Sequence, residues 1–394
     1  MPTVTVRMKE ADNKLFLPNV PALKERSFGA ILYMDDRFFM MRAIRLARKG
    51  IGRVSPNPRV GAVVVRDGRV LSEGFHAHFG GPHAEIAALS NLGRGKAEGA
   101  ALFVNLEPCC HMGKTAPCTD AIIQAGLRRV VIGTPDPNPL VSGKGIKRLQ
   151  ESGIRVDVGV AEAECVRLNQ GFFKYITGKG PFVTLKIAQT LDGKIATRSR
   201  RSRWITCEDS RRRVHALRRE SDAVLVGIGT VLADDPELSV RLVKGLRPKR
   251  IVLDSRLRIP LNAQLVNGEE PAKTIVATAA GVSAKRMQAL RKLGVTVWVL
   301  KKNSDGQVDL KTVLKQAAQE GITSILVEGG KQVFTSFIKA NLADRIVLFI
   351  APKVFGQGID VFGDLGVDRP DGAVALQPVR WFRSGCDMVF EGEF

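Results

Sequence analysis

The sequence predicts two α/β domains in tandem, and three observations carry that prediction. A chain of 394 residues exceeds what one hydrophobic core usually supports. Apolar, strand-like runs alternate with helical stretches through most of its length. The pattern weakens from Ile146 to Gly180 and then restarts, which places a boundary near Lys179 and domains over 34–178 and 179–394.

The first helix reads DRFFMMRAIRLARKG. Met40, Met41, Ile44 and Ala47 share one face, Arg42, Arg45 and Arg48 the other, and Gly50 ends it. VGAVVV reads as a buried strand, and Arg66-Asp67-Gly68-Arg69 as a hairpin turn into VLSEG. Ala84 to Leu89 is helical, ALFVNLE a strand, Thr119 to Ala125 a helix closed by Gly126, and VVIG a strand. The weak stretch yields only a helix, a short strand and the turn Gly178-Lys179-Gly180-Pro181. In the second half PFVTLKIAQ, AVLVGI, RIVLD, TIVATA, VTVWVL, SILVEGG and RIVLFIAP read as strands of a mostly parallel sheet. Thr206 with Asp209 three residues on is a capping-box-like helix start. His215 falls on an arginine-rich helix and reads as a surface residue.

No apolar run approaches the roughly 20 residues that span a bilayer, so no membrane partner and a cytoplasmic location are expected. The first 33 residues lack the order of a secretory signal, and Glu10, Asp12 and Glu25 oppose a transit peptide. They read as an upstream extension, mobile or an artefact of start-codon choice, with a structural arm as the alternative. Cys109, Cys110 and Cys118 cluster while Cys165, Cys207 and Cys386 are scattered, which fits a reducing compartment with one metal site. The scattered three read as inert packing thiols. The net charge of +21 invites a nucleic-acid reading, but two Tyr and three Trp supply little base stacking. The dense basic stretch from Arg198 to Arg219 suits an anionic small substrate or a solvated helix face.

The chemistry lies in His83-Ala84-Glu85, Pro108-Cys109 and Pro117-Cys118. A catalytic zinc takes three protein ligands and leaves the fourth position to water, and His83, Cys109 and Cys118 supply that number. Zn2+ there would bring the pKa of water towards about 7, so that hydroxide attacks a carbon bearing an exocyclic amine. Glu85 would take the proton and pass it to the leaving amine. Deaminases of polynucleotide bases usually separate the two thiolates by two residues. Here the intervening run is CHMGKTAP, a loop that brings His111 and Lys114 near the site. Cys110 is read as a non-ligand.

At these residues the sequence closely resembles the bifunctional riboflavin-biosynthesis deaminase–reductase family. The likeness runs through SPNPRVGAVVV, GFHAHFGGPHAE, EPCCHMGKTAPC and DPNPLVSGKGI, then TLKIAQTLDGKIAT, SRWIT, VGIGTVLADDPELSVR, LDSRLRIP and LVEGG. Arg59, Cys110 and Ala116 are small departures. The resemblance implies a cytidine-deaminase-like three-layer domain followed by a dihydrofolate-reductase-like α/β domain. It implies deamination of 2,5-diamino-6-ribosylamino-4(3H)-pyrimidinone 5′-phosphate, then NADPH reduction of the product's ribose at C1′ to a ribityl chain. Asn57 and His76 would contact the base, with Asn138, Ser142 and Gly143 in the same pocket. Lys186, Ser202, Arg218 and Arg241 would surround the sugar phosphate, with Leu238 and Glu328 close by. Ala188, Trp204, Thr230, Asp234, Ser255, Gly329 and Gly330 would line the cofactor. Taken alone, Asn138 has an alternative reading as a turn former, His76 as a strand-end packing residue and Asp234 as a loop carboxylate. A homo-oligomer, dimer or tetramer, is expected. The alternative function is a nucleic-acid base deaminase with a basic C-terminal binding module, which the long thiolate spacing opposes.

Overall fold

The computed structural model describes residues 35–93, 95–112 and 116–394. The extension over 1–33 and Lys114 lie outside the described residues. The first half comprises α1 (Asp36–Ala47), β1 (Gly61–Arg66), β2 (Arg69–Phe75), α2 (Ala84–Leu92), β3 (Ala101–Val104), α3 (Cys118–Gln124), β4 (Arg129–Ile132), α4 (Lys144–Glu151), β5 (Arg155–Val158) and α5 (Glu162–Ile176). Its sheet has the order β2-β1-β3-β4-β5. β1 is antiparallel to both neighbours, and β3, β4 and β5 run parallel.

Local chemistry explains these elements. Asp35 caps α1 by accepting the Phe38 N–H at 2.8 Å. Asp67 and Gly68 take φ of 51° and 72°, as a two-residue hairpin turn requires. Alternation along β1 then builds three layers. Ala62 and Val64 join a core with Ala84 and Ala88 of α2 and Ile122 of α3. Val63 and Val65 join another with Met40 and Ala43 of α1 and Cys165 of α5.

The second half comprises β6 (Phe182–Thr190), β7 (Lys194–Thr197), α6 (Glu208–Glu220), β8 (Ala223–Gly227), α7 (Ile228–Asp234), β9 (Lys249–Leu253), α8 (Gln264–Asn267), β10 (Thr274–Ala279), α9 (Ala284–Lys292), β11 (Thr296–Leu300), α10 (Leu310–Gln319), β12 (Ser324–Val327), α11 (Lys331–Lys339), β13 (Arg345–Ala351), β14 (Gly358–Asp360), β15 (Gln377–Ser384) and β16 (Asp387–Glu393). The nine-stranded sheet is ordered β11-β10-β9-β8-β12-β6-β13-β16-β15. It is parallel from β11 to β13, and β16 and β15 add an antiparallel hairpin. Alternating residues of β8 again divide between two cores, Leu225 into one and Val224 and Val226 into the other. No helix among the described residues is long and apolar enough to cross a membrane.

Three features differ from the sequence expectation. Helix α5 fills the stretch where no second helix was read. It starts from Ala161 at φ 53° without a side-chain cap, and it contains a non-helical Asn169 and Gly171. Each weakens the local helix signal. Gly171 is set by packing, since an added Cβ would lie 3.2 Å from the Thr323 carbonyl oxygen of the second half. Helix α6 begins one residue later than the Thr206 reading. Cys207 is its N-cap, with its N–H donated to Asp387 Oδ2 at 2.9 Å from the β15–β16 turn. Finally, His215 is buried at 6% exposure rather than on the surface. The arginines of α6 mask a face on which His215 and Arg218, three residues apart, point inward.

α5 and the loop before β1 join the halves. Lys174 Nζ donates to Asp344 at 2.7 Å, Ser55 Oγ to Asp222 Oδ1 at 2.5 Å, and Arg59 Nη2 to the Glu220 carbonyl at 2.6 Å.

Candidate active sites

The first site forms at the starts of α2 and α3. His83 is the N-cap of α2 but makes no side-chain cap bond, so its ring is available to the neighbouring sulfurs. Its Nδ1 lies 3.2 Å from Cys118 Sγ and 3.5 Å from Cys109 Sγ. Cys118 is the first residue of α3, and its N–H points at Cys109 Sγ at 3.4 Å. The three ligand atoms lie within 4.8 Å of one another, and Cys110 is not among them. Two sulfurs and one imidazole nitrogen at this spacing fit a tetrahedral zinc with one position open. The Cys109 thiol is drawn below the usual range by hydrogen bonding with Cys118, then with His83. Glu85 sits in the first turn of α2 at 3% exposure, and burial pushes its carboxyl up to about 7. Gly74 permits this arrangement, because a Cβ there would lie 2.3 Å from Ala88 N and 2.4 Å from Ala84 O. β2 therefore presses directly on the helix that carries Glu85.

His76 and Asn57 extend the site. His76 Nδ1–H donates to Pro82 O at 2.9 Å, which leaves Nε2 to accept from Asn57 Nδ2 at 3.1 Å. The His76 and His83 rings meet edge to face at 5.6 Å. Asn138 organises the next turn: its Oδ1 accepts from Leu140 N and its N–H donates to Asp136. Ser142 is exposed, and Gly143 holds φ of 80°. Sequence reasoning missed Glu107. This buried carboxylate accepts the N–H groups of Asp136, Gly143, Gly145 and Ile146, tying that turn and the start of α4 to the loop that carries Cys109. Its place beside Cys109 in Glu107-Pro108-Cys109 was the available signal.

The second site is a cavity of about 1420 Å³. It opens at the carboxyl ends of β8, β9 and β12, the edge where parallel sheets receive ligands. Every residue that the sequence assigns to the reductase substrate or its cofactor lines it. Arg218 donates Nε and Nη2 to Glu328 at 2.5 and 2.9 Å and Nη1 to Ser239 O at 3.0 Å, leaving two of its five N–H groups. Lys186 Nζ lies 3.6 Å from the same carboxylate. Burial alone would raise the Glu328 carboxyl, yet Arg218 and Lys186 bring it down to about 2. His215 lines the wall, accepts the Arg241 N–H at 3.0 Å, and is pushed down to about 4 by burial and then by Arg218 and Arg241.

Ser202 Oγ donates to Asp234, Thr230 Oγ1 to Gly329 O, and Ser255 Oγ accepts from Val308 N. Trp204 is 61% exposed, with Arg211 stacked at 4.5 Å. Gly330, at φ 84°, caps α11, so N–H groups open on the cavity without a side chain in front of them. Ala188 and Leu238 supply apolar wall. Arg200, Arg203, Arg256, Arg258 and Lys331 also line the cavity, a lining that fits a polyanionic cofactor such as NADPH.

Comparison with known proteins agrees with both halves. The cytidine and deoxycytidylate deaminase zinc-binding region matches residues 34–134, and the RibD C-terminal domain matches 181–390. The riboflavin biosynthesis protein RibD of Aquifex aeolicus is 48% identical over 355 residues, covering 90% of this chain and 97% of that protein. The chain belongs to the RibD family. The RibD of Escherichia coli is 40% identical, covering 82% of this chain and 89% of its own. The Thermotoga maritima structure, a diaminohydroxyphosphoribosylaminopyrimidine deaminase/5-amino-6-(5-phosphoribosylamino)uracil reductase, superposes with a TM-score of 0.80 at 42% identity. It covers 91% of this chain and 98% of that one. RibD of Acinetobacter baumannii gives 0.81 at 36% identity, with the same coverage. Membership makes this a bifunctional riboflavin-biosynthesis enzyme, with a zinc-binding deaminase domain followed by a reductase domain, acting on small pyrimidines.

Proposed function

We propose that residues 34–178 remove the 2-amino group of 2,5-diamino-6-ribosylamino-4(3H)-pyrimidinone 5′-phosphate. Residues 179–394 then reduce the ribose of 5-amino-6-(5-phosphoribosylamino)uracil to ribityl with NADPH. The observation that carries this reading is a buried Glu85 beside the His83, Cys109 and Cys118 donors, in one chain with a large arginine-lined cavity.

In the first step His83, Cys109 and Cys118 would hold zinc, which would supply an activated water. Glu85 would accept a proton from the attacking water and return it to the departing amine. Asn57 is oriented by His76, and its Oδ1 and second N–H are left for the pyrimidine edge. Asn138, Ser142 and Gly143 complete the pocket from the turn that Glu107 secures.

In the second step NADPH supplies the hydride. Arg241, Ser202 and the two remaining N–H groups of Arg218 receive the sugar phosphate. Lys186 and Glu328 lie beside them, and Leu238 closes the wall. Trp204, Ala188, Thr230, Asp234, Ser255, Gly329 and Gly330 would hold the cofactor, with the backbone at Gly329 and Gly330 available to anionic groups.

A coupled assay tests the reading by following ammonia release and NADPH oxidation separately on the diamino-pyrimidinone phosphate. Chelator is expected to stop ammonia release and to spare NADPH oxidation when the deaminated intermediate is supplied. Loss of both signals, or of neither, overturns it. A cytoplasmic location and assembly as a dimer or tetramer belong to the same reading; light scattering of the full chain checks the assembly.

A further inference from the structure

Two thiols that the sequence leaves as packing residues meet in the second half. Cys207 caps α6, and Cys386 sits in the turn between β15 and β16. With Asp387 they form the other cluster of three metal-ligating side chains among the described residues. Both sulfurs and a carboxylate oxygen lie within 4.8 Å of one another. Cys207 is half-buried, Asp387 buried and Cys386 exposed, so the donors are fixed on one side and open to solvent on the other.

The fold presents these donors by specific contacts. Asp387 Oδ2 accepts the Cys207 N–H at 2.9 Å, and Oδ1 lies 3.6 Å from Cys386 Sγ. Cys207 Sγ also lies 3.1 Å from the Ser384 carbonyl oxygen. Gly385 holds φ of 61°, and a Cβ there would come within 2.8 Å of Cys207 Sγ. A glycine is therefore what lets the turn close over the sulfur. The cluster joins two ionisable thiols to a buried carboxylate. Asp387 has no lysine or arginine ion-pair partner among the described residues, although the chain carries 60 such side chains. Three potentially anionic donors without a cationic partner fit a bound cation. Two sulfurs and one oxygen select zinc-like ions over magnesium or calcium.

We infer that Cys207, Cys386 and Asp387 form a second site for a borderline-soft divalent cation such as zinc, bracing the start of α6 to the β15–β16 turn. Binding displaces thiol protons, so affinity rises with pH. The brace holds the start of α6 from outside the reductase cavity, which none of the three donors lines, so NADPH oxidation does not depend on it.

The test uses the full chain, stripped with chelator, kept reduced with a phosphine, reloaded with Zn2+ and desalted. Metal content by emission spectroscopy is expected near about two ions per chain, falling to about one in Cys386→Ser and to about one in Cys118→Ala. Titration with Cd2+ should give an ultraviolet thiolate-to-cadmium band in Cys118→Ala that is lost when Cys386→Ser is added. Deaminase activity of Cys386→Ser should equal that of the parent. One ion in the parent and none in Cys118→Ala overturns the second site while leaving the deaminase centre intact. A mass two hydrogens lower, tracing to a Cys207–Cys386 disulfide that persists in phosphine, also overturns it. Two ions retained in Cys118→Ala would instead count against the deaminase ligand set.

Discussion

Arg218 and Glu328 face each other in the reductase cavity as a two-pronged ion pair, with Nε to Oε1 at 2.5 Å and Nη2 to Oε2 at 2.9 Å. Both side chains are buried, at 14% and 6% exposure. Removing one partner of such a pair leaves an uncompensated buried charge and costs about 3–5 kcal/mol. Lys186 still faces Glu328 at 3.6 Å, so Arg218→Ala is expected to lower the unfolding free energy by less than that full penalty, about 1–3 kcal/mol, in addition to any rise in the reductase KM. As a phosphate ligand alone, Arg218 would show the KM effect with little change in folding. Urea titration separates the two, and an unchanged midpoint would sink the stability role.

The same carboxylate sets an acid dependence. The folded Glu328 carboxyl is held at about 2, below its ordinary 4.5. Between those values the unfolded chain binds a proton that the folded chain refuses, so this contribution is complete above about pH 5 and is lost as pH falls towards about 2. Glu328→Gln should flatten that part of the stability profile. Unfolding free energies measured across the window check it.

His215 gives a third expectation. Its Nδ1 accepts the Arg241 N–H, so His215→Ala removes the acceptor that positions Arg241. The reductase KM for the phosphate substrate should rise several-fold, on the order of 1 kcal/mol for one hydrogen bond. His215→Asn, whose Oδ1 can replace Nδ1, should restore most of it. If Asn fails where the protein remains folded, positioning through this bond is wrong.

Glu85→Gln tests the proton shuttle. The variant should keep its zinc, lose ammonia release by roughly 10²-fold or more, and oxidise NADPH normally on the deaminated intermediate. Normal deamination by this variant would remove Glu85 from the mechanism.

Gly74→Ala tests how the first centre is held. Its Cβ meets backbone atoms of α2, which no rotamer change can relieve. A loss of about 1–3 kcal/mol is expected from overpacking, with weaker zinc retention. Equal stability and metal content would show that β2 and α2 can separate without cost.

The candidate metal donors were legible in the sequence because each stands in a short local motif: His83 and Cys118 at the starts of α2 and α3, and Cys109 in the Glu-Pro-Cys loop after β3. The strands of the second sheet were legible from composition: AVLVG is apolar and TIVATA combines β-branched and small residues, and both are buried throughout, as strands covered on both faces are. Helix α5 was not, because its Asn169 serves the backbone of Arg59 in the loop before β1 and its Gly171 serves packing on the second half, rather than helix propensity. β15 was not, because an edge strand exposed along most of its length shows no apolar alternation. His215 was hidden by the arginines around it on α6. The Cys207–Cys386 meeting depends on a register between distant elements, which spacing along the chain does not encode.

The bonds from Ser55 to Asp222 and from Arg59 to Glu220 flank Asn57 on either side. The loop that carries Asn57, proposed to meet the pyrimidine, is thus tied down by atoms of the second half. A gene cut at the linker would release a first enzyme with both struts missing, so fusion here is an architectural dependence and not just co-transport of two catalysts. Mutations that loosen the second domain should register first as altered pyrimidine affinity in a domain they never touch.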